Sequence, residues 1–85
     1  MPRRIFNIAQ VLEHSPERPN HANELSFVIR WEGYDNPRDF TVESWATNES
    51  LHTNIVVLLY MRRHYYLRDF VPQNVDIFYH VPLEP

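Results

Sequence analysis

The sequence predicts a small α+β domain, with three antiparallel strands and one C-terminal helix covering their apolar face. Three observations carry this reading. Residues 24–31, ELSFVIRW, alternate strictly and place Leu25, Phe27, Ile29 and Trp31 on one side of a strand. Residues 54–70, NIVVLLYMRRHYYLRDF, contain no glycine or proline and end rich in arginine, which suits a helix C-terminus. The chain has 85 residues, enough for one domain. A domain of this size buries only about 60–65% of its unfolded surface, so its core must be used economically.

The elements follow in order. Residues 5–13, IFNIAQVLE, mix alternation with β-branched residues and read as a first strand. Residues 14–23, HSPERPNHAN, hold two prolines and two asparagines and read as a wide hairpin loop. The strand at 24–31 is the clearest in the chain. Residues 32–39, EGYDNPRD, break it with the chain's single glycine, Gly33, and a proline. Residues 40–45, FTVESW, alternate again as a short third strand. Residues 47–54 form a polar connector whose Thr53 or Asn54 can cap the helix. Residues 71–85 are punctuated by proline, and NVDIFYHV within them reads either as an extended segment or as a tail ordered by contact.

Composition narrows the function. With no cysteine there is no disulfide and no thiolate metal site, a pattern that fits a reducing compartment. No apolar run is long enough to span a membrane, and MPRRIFNIAQVLEH lacks the apolar core and cleavage site of a signal peptide. The formal charge of −3 suits a basic partner and argues against nucleic acid as the main ligand. All eight basic residues are arginine; compositional drift and avoidance of lysine modification both produce that pattern.

Signs of catalysis or cofactor binding are missing. The histidines at 14, 21, 52, 64 and 80 show no metal-ligand spacing, and one glycine cannot build a phosphate loop. Ser44 in VESWA lacks the glycines of a nucleophile elbow, and Glu43 with Glu49 read as solubilising connector residues. The expectation is a non-enzyme with no cofactor and no metal.

Trp31 and Tyr34, three residues apart around Gly33, read either as core aromatics or as two walls of a pocket. The wider pattern bears on that choice. FNIAQVLEH, LSFVIRWEGYD, FTVESW and NIVVLLYMRRH, taken in order, resemble a chromodomain across about residues 5–66. VIRWEGY is the most specific match; in TVES, Glu43 is kept, while Val42 and Ser44 replace the family's usual Trp and Pro. Trp45 and the following YYLRDFVP are similar to chromodomains at the C-terminus of gypsy-type retrotransposon integrases.

The resemblance implies an SH3-like partial barrel: a curved three-stranded antiparallel sheet packed by the C-terminal helix. It implies a nuclear reader of methylated lysine on a histone tail, tethering its host protein to marked chromatin. By the same resemblance Phe6, Trp31 and Tyr34 form an aromatic cage, and Ile5, Phe6, Asn7 and Ile8 pair with the tail as an added strand. That segment is expected to be loose until the tail binds. Asp39 is the matching auxiliary acid, although an extra residue in DNPRD makes Arg38 the alternative, and Ile5 stands where the family often has an acid. Residues 67–85 would be a C-terminal extension that either folds back or mediates contacts.

The helix raises a second question. Ile55 to Met61 are seven apolar residues in succession, whereas a covering helix needs one apolar stripe. Val57, Tyr60 and Met61 match the family's core positions, and Leu58 and Leu59 fall where it is polar. Ile55, Leu58 and Leu59 are therefore expected to be covered, either by residues 70–81 including Phe78 and Tyr79, or by a second copy of the chain. The second option gives the alternative function, a chromo-shadow-like homodimer with a vestigial cage.

Overall fold

The computed structural model describes residues 7–73. Strands β1 (Ile8–Ser15), β2 (Ser26–Trp31) and β3 (Thr41–Ser44) form an antiparallel sheet in the order β1-β2-β3, and helix α1 (Ile55–Arg62) follows. This is the α+β arrangement predicted from the alternating strands. Among the described residues, no strand pairs with the outer edge of β1 or of β3.

The sheet curves because β1 carries extra residues. Ile8 pairs with Trp31 and Gln10 with Arg30, and then Val11 pairs with Ile29 and Glu13 with Val28, so Ala9 and Leu12 are each left over. Each such bulge bends a strand and increases its twist. The concave side holds Ile8, Val11, Leu25, Phe27 and Ile29, all buried, and α1 packs against β1 to close it.

Strand β3 uses the opposite parity from the one its apolar residues suggest. Phe27 pairs with Glu43 and Ile29 with Thr41, which puts Thr41 and Glu43 on the core side. Val42 is 69% exposed on the outer face. The cause lies one step further along: Trp45 shares parity with Thr41 and Glu43, is buried, and its N–H donates to the Leu25 carbonyl at 2.9 Å. Burying Trp45 outweighs exposing Val42, because an indole removes far more apolar area from water.

Helix α1 starts where the connector predicts. Asn54 caps it, its Oδ1 accepting from the N–H groups of Val56 (2.9 Å) and Val57 (3.2 Å). It ends at Arg62, well short of the expected run to Phe70. The Arg63 N–H reaches the carbonyls of both Leu59 and Tyr60, and the His64 ring engages the Tyr60 carbonyl at 2.7 Å. The chain then turns, so that Leu67 enters the core fully buried, with Phe70 and Val71 packed against the same cluster. A straight helix would carry Leu67 past the sheet.

That return bears on two expectations. The start of the 67–85 extension folds back onto the domain, with Leu67 in the core and Phe70 and Val71 packed against it. Leu58 is 1% exposed and is a core residue, unavailable as an interface side chain, whereas Leu59 is 38% exposed and Ile55 half-buried. An eight-residue helix packed between the sheet and its own return segment has two apolar neighbours, so its buried stripe is wider than one sheet would need. Phe78, Tyr79 and the rest of the segment beyond residue 73 lie outside the described residues.

Candidate binding site at the end of strand β2

The candidate site is built on the turn that ends β2. Gly33 has φ +88°, and the Tyr34 N–H donates to the Trp31 carbonyl at 3.0 Å. A positive φ at the third position of a hydrogen-bonded four-residue turn is the type II pattern, which glycine adopts without strain. A Cβ on Gly33 would meet nothing within 4 Å, so glycine is needed for backbone conformation and not for space. Tyr34, 43% exposed, follows the turn directly, and Trp31, half-buried and packed against the core cluster, precedes it.

Trp31 is held by its polar edge. Its Nε1–H donates to Thr41 Oγ1 at 2.8 Å, and the Thr41 hydroxyl donates to Glu43 Oε2 at 2.7 Å. Asn48 Nδ2 donates to Glu43 Oε1 at 3.0 Å, fixing the carboxylate from the other side. The indole is thus oriented by a half-buried chain ending on a negative charge, and hydrogen bonds to an ionised acceptor are the strong kind. Sequence reading missed this network. Its signal was the T-x-E alternation of β3, readable only once the register sets Thr41 opposite Ile29 and Glu43 opposite Phe27.

The other predicted residues are placed as follows. Ile5 and Phe6 lie outside the described residues. Asn7 is half-buried and tied to the turn: its carbonyl accepts from the Glu32 N–H at 2.8 Å, and its Nδ2 donates to Glu32 Oε1 at 3.3 Å. Ile8 is buried opposite Trp31. Asn7 and Ile8 thus lie against β2, and Ile8 also fills the core. The side of β1 away from β2 is the one a further strand can use.

Asp39 sits exposed in a single 3-10 turn, Pro37–Asp39, whose start is capped by Asn36 Oδ1 accepting from the Arg38 N–H at 3.0 Å. Arg38 is exposed in the same turn. Asp35 is engaged with Arg30 at 2.9 Å, an exposed pair worth little stability. Glu43 is coupled to Trp31 through Thr41.

Among the described residues, no group of three or more His, Cys, Asp or Glu side chains could hold a metal ion, and no helix is long and apolar enough to cross a membrane. Comparison with protein-family models, curated proteins and solved structures yields no match to this chain.

Proposed function

We propose that this chain reads methylated lysine on a basic peptide tail of the histone type, with Trp31 and Tyr34 as two walls of an aromatic cage and Phe6 as the third. The observation that carries this is the anchoring of Trp31: an indole at the open end of β2, locked through Thr41 to Glu43, beside a glycine turn that Tyr34 follows. Trp31 also packs against the core cluster, and it is the half-exposed remainder of the indole that is left to face a ligand.

The chemistry follows from the ligand. A quaternary ammonium has no N–H to satisfy, and its charge is drawn to ring faces. Glu43, behind the indole edge, adds negative potential to the ring that faces the cation. Exposed Glu32 and Asp39 give the surrounding turn the charge that a basic tail favours.

Rings alone do not suffice. Each contributes about 0.5–2 kcal/mol, whereas micromolar affinity needs about 8 kcal/mol. The remainder comes from pairing the tail as an added strand along β1, at Ile5, Phe6, Asn7 and Ile8. Such a module tethers its host protein, on this reading a nuclear protein derived from a retroelement integrase, to marked chromatin. The rival is self-association through α1, which would have to use Ile55 and Leu59 without Leu58.

Titration with one lysine-containing tail peptide in its unmethylated, mono-, di- and trimethylated states tests the proposal. Affinity should rise with methylation and be lost in Trp31→Ala, with the fold retained. Equal affinity for all four states would remove the cage reading.

A further inference from the structure

A second surface lies at the opposite end of the sheet. Ser15 pairs with Ser26, five residues along β2 from Trp31, which is about 17 Å at the rise of a strand. The loop after Ser15 carries Arg18, whose guanidinium lies 4.4 Å from the centre of the Tyr66 ring. Tyr66 meets Tyr65 edge-on at 5.3 Å, and the Arg68 guanidinium lies 5.7 Å from the Tyr65 ring. Arg68 is tied down by its Nε–H donating to the Arg62 carbonyl at 3.1 Å, which leaves its two terminal nitrogens for another acceptor. Arg18, Tyr66, Tyr65 and Arg68 therefore make one continuous surface, and all four are exposed.

Residues 50–68 contain three arginines and two histidines and no carboxylate, although Glu17 adjoins Arg18 and Asp69 adjoins Arg68. Among the described residues the one ion pair is Arg30 with Asp35, so neither Arg18 nor Arg68 is neutralised there. Their guanidinium groups are positioned by aromatic rings instead, which costs them none of their capacity to bind a phosphate bidentately. Tyr65 is 74% exposed, the most exposed of the large apolar and aromatic side chains among the described residues.

We propose that this surface binds single-stranded nucleic acid, with Tyr65 as a base-stacking platform and Arg18 and Arg68 as phosphate ligands. Exposed rings beside unpaired arginines combine the two features such sites use. A purely acidic peptide such as oligo-glutamate would engage the arginines but has no planar ring for Tyr65. Arg18 already lies over the Tyr66 ring, so Tyr65 is the platform, and an unpaired base can lie on its face where a base held inside a duplex cannot. The surface is separate from the Trp31 site, and its ligand is accessory to the tail.

The test uses the full chain and fluorescein-labelled oligo-uridine and oligo-thymidine of about ten nucleotides, a duplex of equal length, and an oligo-glutamate peptide, at about 50 mM salt. Both single strands should bind better than the duplex and the peptide; their ratio tells RNA from DNA. Tyr65→Ala should weaken binding about 5- to 150-fold. Arg18→Gln and Arg68→Gln should each make the logarithmic salt dependence shallower by about 0.7. Trp31→Ala should change none of this, which separates the surface from the cage. No binding at this salt, preference for duplex or oligo-glutamate, or wild-type affinity in a Tyr65→Ala protein with an unchanged melting temperature would each overturn the proposal.

Discussion

Trp31 concentrates the functional argument because its two halves do different things. The ring face is the candidate cation platform; the ring edge is a donor committed to Thr41. Thr41→Val keeps the shape and removes the relay to Glu43. It should cost about 1 kcal/mol of stability, read by denaturant unfolding, and weaken methyl-peptide binding several-fold while leaving binding of the unmethylated peptide unchanged. Gly33→Ala meets no steric obstacle but must hold φ at +88°, so it should destabilise by about 1–3 kcal/mol and disturb the Trp31–Tyr34 geometry. The turn at Gly33 was legible in the sequence, since a lone glycine between aromatics at a strand end has one obvious mechanical use. Thr41, Glu43 and Asn48 were not legible, because their convergence depends on a strand register that local pattern does not encode.

Among the elements, β2 and α1 show where local reading succeeds and fails. The strict alternation of Leu25, Phe27 and Ile29 placed them correctly, and all three are fully buried. The start of α1 was readable because Asn54 is a capping residue acting within two or three positions of itself. Its end was not, because the stop depends on His64 taking the Tyr60 carbonyl and on Leu67 reaching the core, which are tertiary facts. The same return segment settles the apolar run. Leu58→Ala should cost about 2–5 kcal/mol, and Leu59→Ala well under 1 kcal/mol, in thermal or chemical melts. Similar losses at both positions would mean that Leu59 is covered by something beyond the described chain. Asn54→Ala should cost about 1 kcal/mol through loss of the cap.

For the whole molecule, α1 and β1 are coupled through Tyr60, and the two candidate surfaces lie at opposite ends of the sheet that they hold. The Tyr60 hydroxyl sits 2.8 Å from His14 Nδ1, its ring stacks on His64 at 4.0 Å, and it packs edge-on against Phe27. Burial first, and the Glu13 carboxylate second, push its phenol above the ordinary value of 10.0. The unfolded phenol thus ionises before the native one. The contribution is complete below about pH 10 and is lost as pH climbs through the raised native value, and Tyr60→Phe should flatten that alkaline decline in a melting series. Since Asn7 and Ile8 are already held against β2, tail binding should add amide protection mainly along the outer edge of β1, seen by hydrogen exchange over residues 4–9. The central claim is that a cation is bound by ring faces, and the most direct measurement compares a trimethyllysine peptide with its isostere in which carbon replaces the quaternary nitrogen. Shape and apolar area are the same, and only the charge differs. The account predicts that the charged peptide binds about tenfold or more tightly, and that Trp31→Ala erases the difference. Equal affinity of the two peptides would contradict it.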